Sequence, residues 1–272
     1  MKRISIALLL LVTTIYLCSG LNPSKEYSVS PADYGMDYKE IKIPTEDGLE
    51  LHAWMFSASK TSYKIMVLSD DGDGNMADLL ELVGQFLSLG YHVLTYDYRG
   101  YGKSSDFEIN KKFYIYSQFE TDLNSVVDYL KKNHANIPKI HLYGQGIGAS
   151  LSICVAANRK ISKVIADSPY DTFEGIKQAI KEAKDVDLLF PIGYNKIKME
   201  PVYALEAKGG TVGGILFIAG DEDEIYSPKY IKELVKVRKD ISSLYLVKGA
   251  SCANTFSSDK EKYFAEIKEF LD

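Results

Sequence analysis

The sequence predicts an α/β domain: a mainly parallel sheet of about eight strands with helices on both faces. Strand-type and helix-type segments alternate from about residue 38 to the end, which implies parallel strands joined by crossover helices. The 272 residues are 46% hydrophobic and 25% charged, an ordinary globular composition with apolar material enough for one core. No internal repeat, low-complexity tract or Pro/Ser linker interrupts the chain, so residues 38–272 read as a single domain.

The elements follow in order. "KEIKIPT" (39–45) and "LELHAWMF" (49–56) flank the turn "EDG" and read as an antiparallel hairpin. "YKIMVLS" (63–69) is a β-rich buried strand; after "DDGDGN" a helix, "MADLLELVGQFLSLG", runs to its stop at Gly90. "YHVLTYDY" (91–98) is a strand followed by the loop "RGYGKSS". From Tyr116 to about His134 the spacing is helical, with Phe119, Leu123, Val126, Val127 and Leu130 on one face. Then come "PKIHLYG" (strand), "IGASLSICVAAN" (helix) and "KVIADSPY" (strand). Residues 171–210 are mixed, with the helix "FEGIKQAIKEAK" and the looser "LLFPIGYNKIKMEP", and read as a small cap over the sheet's carboxyl edge. "GILFIAG" (strand), "SPKYIKELVKV" (helix), "SSLYLVKG" (strand) and "SDKEKYFAEIKEFL" (helix) close the chain.

The N-terminus reads as a targeting segment. "MKR" supplies positive charge, "ISIALLLLVTTIYLC" an apolar run too short for a comfortable membrane span, and "CSGLNPSKE" a polar exit. Residues 1–20 are therefore expected to be a signal peptide and 21–37 an N-terminal extension. Two processing routes stand side by side: acylation of Cys18, which attaches the protein to a membrane, and simple cleavage after Gly20. Cys154 and Cys252 remain in the folded part. Cys154 reads as a small buried hydrophobe, and spacing alone neither establishes nor excludes its pairing with Cys252. The net charge is −5 with no Lys/Arg block, which argues against a nucleic-acid partner.

Five stretches, in this order along the chain, carry a resemblance: "IPTEDGLELHAW" (43–54), "GYHVLTYDYRGYGKS" (90–104), "YGQGIGAS" (143–150), "IAGDEDEIYSP" (218–228) and "VKGASCANTF" (247–256). Together they resemble the α/β-hydrolase superfamily, and within it the BEM46-like and S33 aminopeptidase-like serine hydrolases. The resemblance implies the α/β-hydrolase fold and a site of three side chains: an attacking serine, a histidine that accepts its proton, and an acid that orients the imidazole. Two backbone N–H groups stabilise the oxyanion.

Carried onto this chain, the nucleophile position is Gly146, flanked by Gly144 and Gly148. The acid position is Asp223, and the histidine position is Cys252. The oxyanion loop, usually opened by His-Gly, reads Asp71-Gly72, with Ile147 and Asp73 as the backbone donors. Asp70, Asp71 and Asp73 would set carboxylates beside a developing negative charge, which they repel.

No substitute nucleophile stands out. Ser150 and Ser152 lie inside the following helix. Cys252 would need a histidine, cation or helix terminus beside it, and by pattern His52, His92, His134 and His141 all lie away from the carboxyl edge. Arg99 reads as a loop anchor paired with a carboxylate. Asp71, Asp73 and Asp223 could together form an acidic mouth for a cationic ligand or hard divalent ion. "DGDGN" fails as a calcium loop, because Met76 replaces the turn glycine and Leu82 the bidentate glutamate. No cofactor and no confident metal site is implied. The expectation is an exported hydrolase-fold protein that has lost acyl transfer and binds a small molecule or protein. The rival is an active esterase- or peptidase-like enzyme with an unrecognised nucleophile.

Overall fold

The computed structural model describes residues 20–208, 212–252 and 254–272, so most of the expected signal peptide, with Cys18, lies outside the described residues. A hairpin opens the main sheet: β1 (Tyr38–Pro44) and β2 (Glu50–Phe56) pair antiparallel. After β3 (Lys64–Ser69), a 3-10 turn (Met76–Leu79) leads into α1 (Leu80–Ser88). The turn forms because Asn75 accepts the Ala77 N–H while Asp78 accepts that of Asn75, a reciprocal cap. Then follow β4 (His92–Tyr96), α2 (Ser117–Asn133), β5 (Lys139–Gln145), α3 (Gly146–Asn158) and β6 (Val164–Asp167). The second half holds α4 (Phe173–Lys184), α5 (Lys196–Met199), α6 (Pro201–Lys208), β7 (Ile215–Gly220) and α7 (Pro228–Val237). It ends with β8 (Ser242–Val247), α8 (Thr255–Ser258) and α9 (Lys260–Leu271).

The eight strands lie in the order β8-β7-β6-β5-β3-β4-β2-β1. Only the β1–β2 and β2–β4 pairs are antiparallel. Every residue of β6 and β7 is buried, as strands covered on both faces must be. One face packs against α1 and α9 through Leu80, Val83, Phe86, Tyr263 and Ile267; the other carries α2, α3, α4, α6 and α7. The face of α2 read from its spacing, Phe119 through Leu130, is buried. α3 is buried on all sides up to Ala157, which is why its sequence shows no polar face.

Two places depart from the sequence reading. Residues 196–199 form a short helix inside the stretch read as looser, and residues 201–208, mostly unassigned within the mixed segment, form a second helix that packs against α3. The extension is also not loose at its start. Leu21 is buried, and Asn22–Pro23 makes a two-residue parallel ladder with Asp73–Gly74, with N–H bonds from Asn22 to Gly72 O and from Ser24 to Gly74 O, both 2.9 Å.

His141 on β5 is buried, with neither ring nitrogen hydrogen-bonded to a described group. Burial first, then Lys163, Lys64 and Lys139, push its pKa down to about 4. A histidine held neutral in the folded chain contributes stability that is present above its ordinary pKa of 6.5 and lost as pH falls toward 4. His141→Phe is expected to remove roughly 2–3 kcal/mol of the stability difference between pH 7 and pH 4. Urea unfolding of both proteins at the two pH values measures it.

Candidate functional site

The site lies where β3, β5 and β7 deliver their loops to the carboxyl edge of the sheet. Gly146 occupies the sharp turn from β5 into α3 with φ +51°, a left-handed angle that glycine adopts without strain. Its surroundings are already filled. A Cβ added there would lie 3.1 Å from the Tyr226 hydroxyl and 3.2 Å from Asp71 Cβ. Tyr226 is buried, and its hydroxyl is hydrogen-bonded to that of Tyr114 at 2.7 Å. The Tyr226 phenol, held by Tyr114, thus crowds the place from which a nucleophile would project.

Asp223 sets the position of that phenol. Its buried carboxylate accepts the backbone N–H groups of Ile225 (2.9 Å) and Tyr226 (2.8 Å), which turns the chain from β7 toward α7. The loop bearing Cys252 also approaches this carboxylate with its backbone. Burial raises the Asp223 pKa against the pull of these N–H groups. The structure therefore brings the acid and histidine positions together, but Cys252 is disulfide-bonded and offers neither a thiol nor an imidazole. Its partner is not Cys154, which is a free, buried cysteine on α3; the 154–252 pairing left open above is excluded.

The oxyanion loop is bound up in itself. Asp70 accepts the Gly72 N–H at 2.8 Å, and Asp71 accepts the Asp73 N–H at 2.9 Å. The expectation that Asp73 supplies an oxyanion donor is thus corrected: its N–H is spent on the neighbouring carboxylate, and its side chain accepts Asn22 Nδ2 at 2.8 Å. Ile147, second residue of α3, keeps an N–H without an acceptor inside the helix. Burial and the Asp71 charge raise the Asp70 pKa well above the carboxylate range, and burial pushes that of Asp71 up to about 6. The Tyr98 and Tyr101 hydroxyls donate to the carbonyls of Asp70 and Gly72.

Asp71 and Tyr226 meet at Gly146, but Asp73 is turned to the N-terminal segment. Among the described residues no group of three or more His, Cys, Asp or Glu is placed to hold a metal ion. Ser150 is buried; its hydroxyl accepts the Tyr170 N–H and donates back to the Tyr170 carbonyl, 3.2 Å away. His52 corrects a second expectation. Because β2 runs antiparallel, its first residues reach the carboxyl edge beside Asp97, where His52 contacts Tyr27. It still stands three strands from β5, about 14 Å at ordinary strand spacing.

Sequence reading missed Tyr114 and Tyr226, and also Asp167, buried at the end of β6. Asp167 accepts hydrogen bonds from Thr255, Tyr263 and Ser168, tying α8 and α9 to the sheet. The one local signal was the Asp-x-x-Tyr spacing of Asp223 and Tyr226.

An open sheet in this order, with the turn after β5 entering a buried helix and an acid after β7, defines an α/β-hydrolase-fold protein. A family profile described as alpha/beta hydrolase fold matches residues 74–194, a stretch that includes Gly146 but ends before Asp223 and Cys252. The chain is 27% identical to protein bem46 of Schizosaccharomyces pombe over 95% of this chain and 85% of that protein. It is 25% identical to the uncharacterised protein YqkD of Bacillus subtilis over 87% and 80% of the two chains. Among solved structures, the Pyrococcus furiosus esterase Pf2001 superposes with a TM-score of 0.76 at 20% identity, covering 93% of this chain and 97% of that one. At that identity the likeness concerns the fold.

Proposed function

We propose that this is an exported, membrane-attached α/β-hydrolase-fold protein that binds a small molecule or protein and does not transfer acyl groups. The observation that carries the reading is the packing at Gly146: no side chain to attack with, and the Tyr226 hydroxyl and Asp71 already in the space a nucleophile needs. The second requirement, a proton acceptor, is missing where Asp223 meets Cys252. The third is half missing, since one of the two oxyanion donors is bonded to Asp71. Beside Tyr226 lies a narrow crevice lined by Pro169, Tyr170, Ile176, Ile225 and Tyr230.

The purified protein is expected to leave p-nitrophenyl esters and aminoacyl amides unhydrolysed above background. A rate abolished by one substitution at the carboxyl edge would overturn the proposal. Gly146→Ser is expected to stay unlabelled by a fluorophosphonate. The serine would sit at a left-handed angle costing about 1–2 kcal/mol, pressed on Tyr226 and Asp71, with no imidazole to take its proton. Mass spectrometry of the intact protein after exposure to the probe reads this directly.

A further inference from the structure

Nine large hydrophobic side chains are exposed among the described residues, and five of them lie in one stretch: Val186, Leu189, Phe190 and Ile192 between α4 and α5, and Ile197 in α5 itself. Ile192 is 82% exposed. The stretch is held in place by its backbone. The Leu189 N–H donates to Lys112 O at 2.8 Å, and Ser117 Oγ donates to Ile192 O at 3.3 Å. Phe190 leans on Phe173 and Tyr194, with the Lys177 ammonium 5.1 Å above its ring. The apolar tips are therefore presented outward by a fixed frame.

What covers them is indicated by where the described chain begins. Two residues after Gly20, Asn22 Oδ1 accepts from Lys111 Nζ at 2.6 Å. Lys112, the next residue, holds Leu189. The apolar run of residues 4–18 thus joins the fold one residue away from the support of the exposed loop. Lys111, Lys112, Lys196 and Lys198 are exposed around it, and the acids Asp185 and Asp187 are both engaged by Lys181. Apolar tips ringed by lysines suit the boundary between lipid headgroups and acyl chains, where long cationic side chains reach back to water. No described helix is long and apolar enough to cross a membrane.

We propose that loop 186–197 seats Leu189, Phe190 and Ile192 in the interfacial layer of the lipid bilayer to which the N-terminal segment attaches the protein. The inference rests on the membrane attachment proposed above, and its test separates the two. Full-length protein carrying Ile192→Trp is reconstituted into vesicles of phosphatidylcholine and phosphatidylglycerol, with and without brominated acyl chains, and floated on a density gradient. The unsubstituted chain, whose single Trp54 is buried, provides the baseline. The new tryptophan is expected to lose about half its emission in brominated vesicles, as a ring buried about 5–10 Å into the boundary should, while the baseline protein is unchanged. Flotation without quenching overturns the surface and leaves the attachment standing; that result would place residues 1–19 or a second copy of the chain over the loop. Failure to float overturns both.

Discussion

Replacing Gly148 with alanine is expected to cost about 3 kcal/mol or more, enough to leave a domain of ordinary stability largely unfolded on mild heating. The reason is a crossing of backbones. A Cβ at Gly148 would lie 2.5 Å from the carbonyl oxygens of both Ser69 and Asp70, at the end of β3. One at Gly144 would lie 2.2 Å from the carbonyl carbon and oxygen of Gly148 itself. No side chain can swing aside, because the obstructing atoms are main chain in a central strand and in the helix above it. Relief requires α3 to lift off the sheet, and α3 is the buried hub against which α2 and α6 pack. Gly90→Ala is the control. Its Cβ would meet nothing within 4 Å, so only the left-handed backbone, φ +77°, is penalised, by about 1–2 kcal/mol. Urea unfolding midpoints of the two variants separate steric collision from backbone strain.

Arg99→Met is expected to destabilise by about 3–5 kcal/mol, the usual cost of stranding one member of a buried ion pair. Arg99 is almost fully buried and donates from Nε (2.9 Å) and Nη2 (2.6 Å) to one oxygen of Asp122, whose other oxygen accepts the Arg99 backbone N–H. Its other carboxylate partner, Asp47, is partly exposed but held by two hydrogen bonds, and the guanidinium pulls its pKa down to about 2. Burial pushes the Asp122 pKa up to about 6 even with the guanidinium alongside. A folded-state pKa raised above the ordinary 3.8 means that stability declines as pH rises from about 4 through 6. Without Arg99 the folded-state pKa rises further, so the loss should be larger at pH 8 than at pH 5. Arg99→Met with Asp122→Leu should recover part of it, since a buried pair replaced on both sides strands no charge. Thermal unfolding at the two pH values tests both statements.

Much of the fold was legible because its signals are local. The largely apolar strands β3 and β7, the one-sided α2 and the stop at Gly90 each declare themselves within a dozen residues. Helix α6 did not. "PVYALEAK" is short and starts with proline one residue after α5, so its helicity depends on α3 being there to pack upon. The placement of His52 failed for a topological reason: pattern identified the hairpin, but the direction of β2 relative to the parallel strands decides which end of it reaches the carboxyl edge. At the site, the spacing of motifs correctly pointed to the turn at Gly146, and its fullness was invisible. Tyr114 and Tyr226 are 112 positions apart, and twenty tyrosines scattered along the chain give no hint of which two will meet. The commitment of the Asp73 N–H to Asp71 is a matter of one side-chain rotamer.

The short ladder between Asn22–Pro23 and Asp73–Gly74 has a mechanical consequence. The chain's leading end is stitched to the acidic loop by two main-chain hydrogen bonds, while the eight-stranded sheet behind it is held by many. Tension applied to that end would therefore shear these two stitches first, disturbing the acidic loop while every strand of the sheet stayed paired.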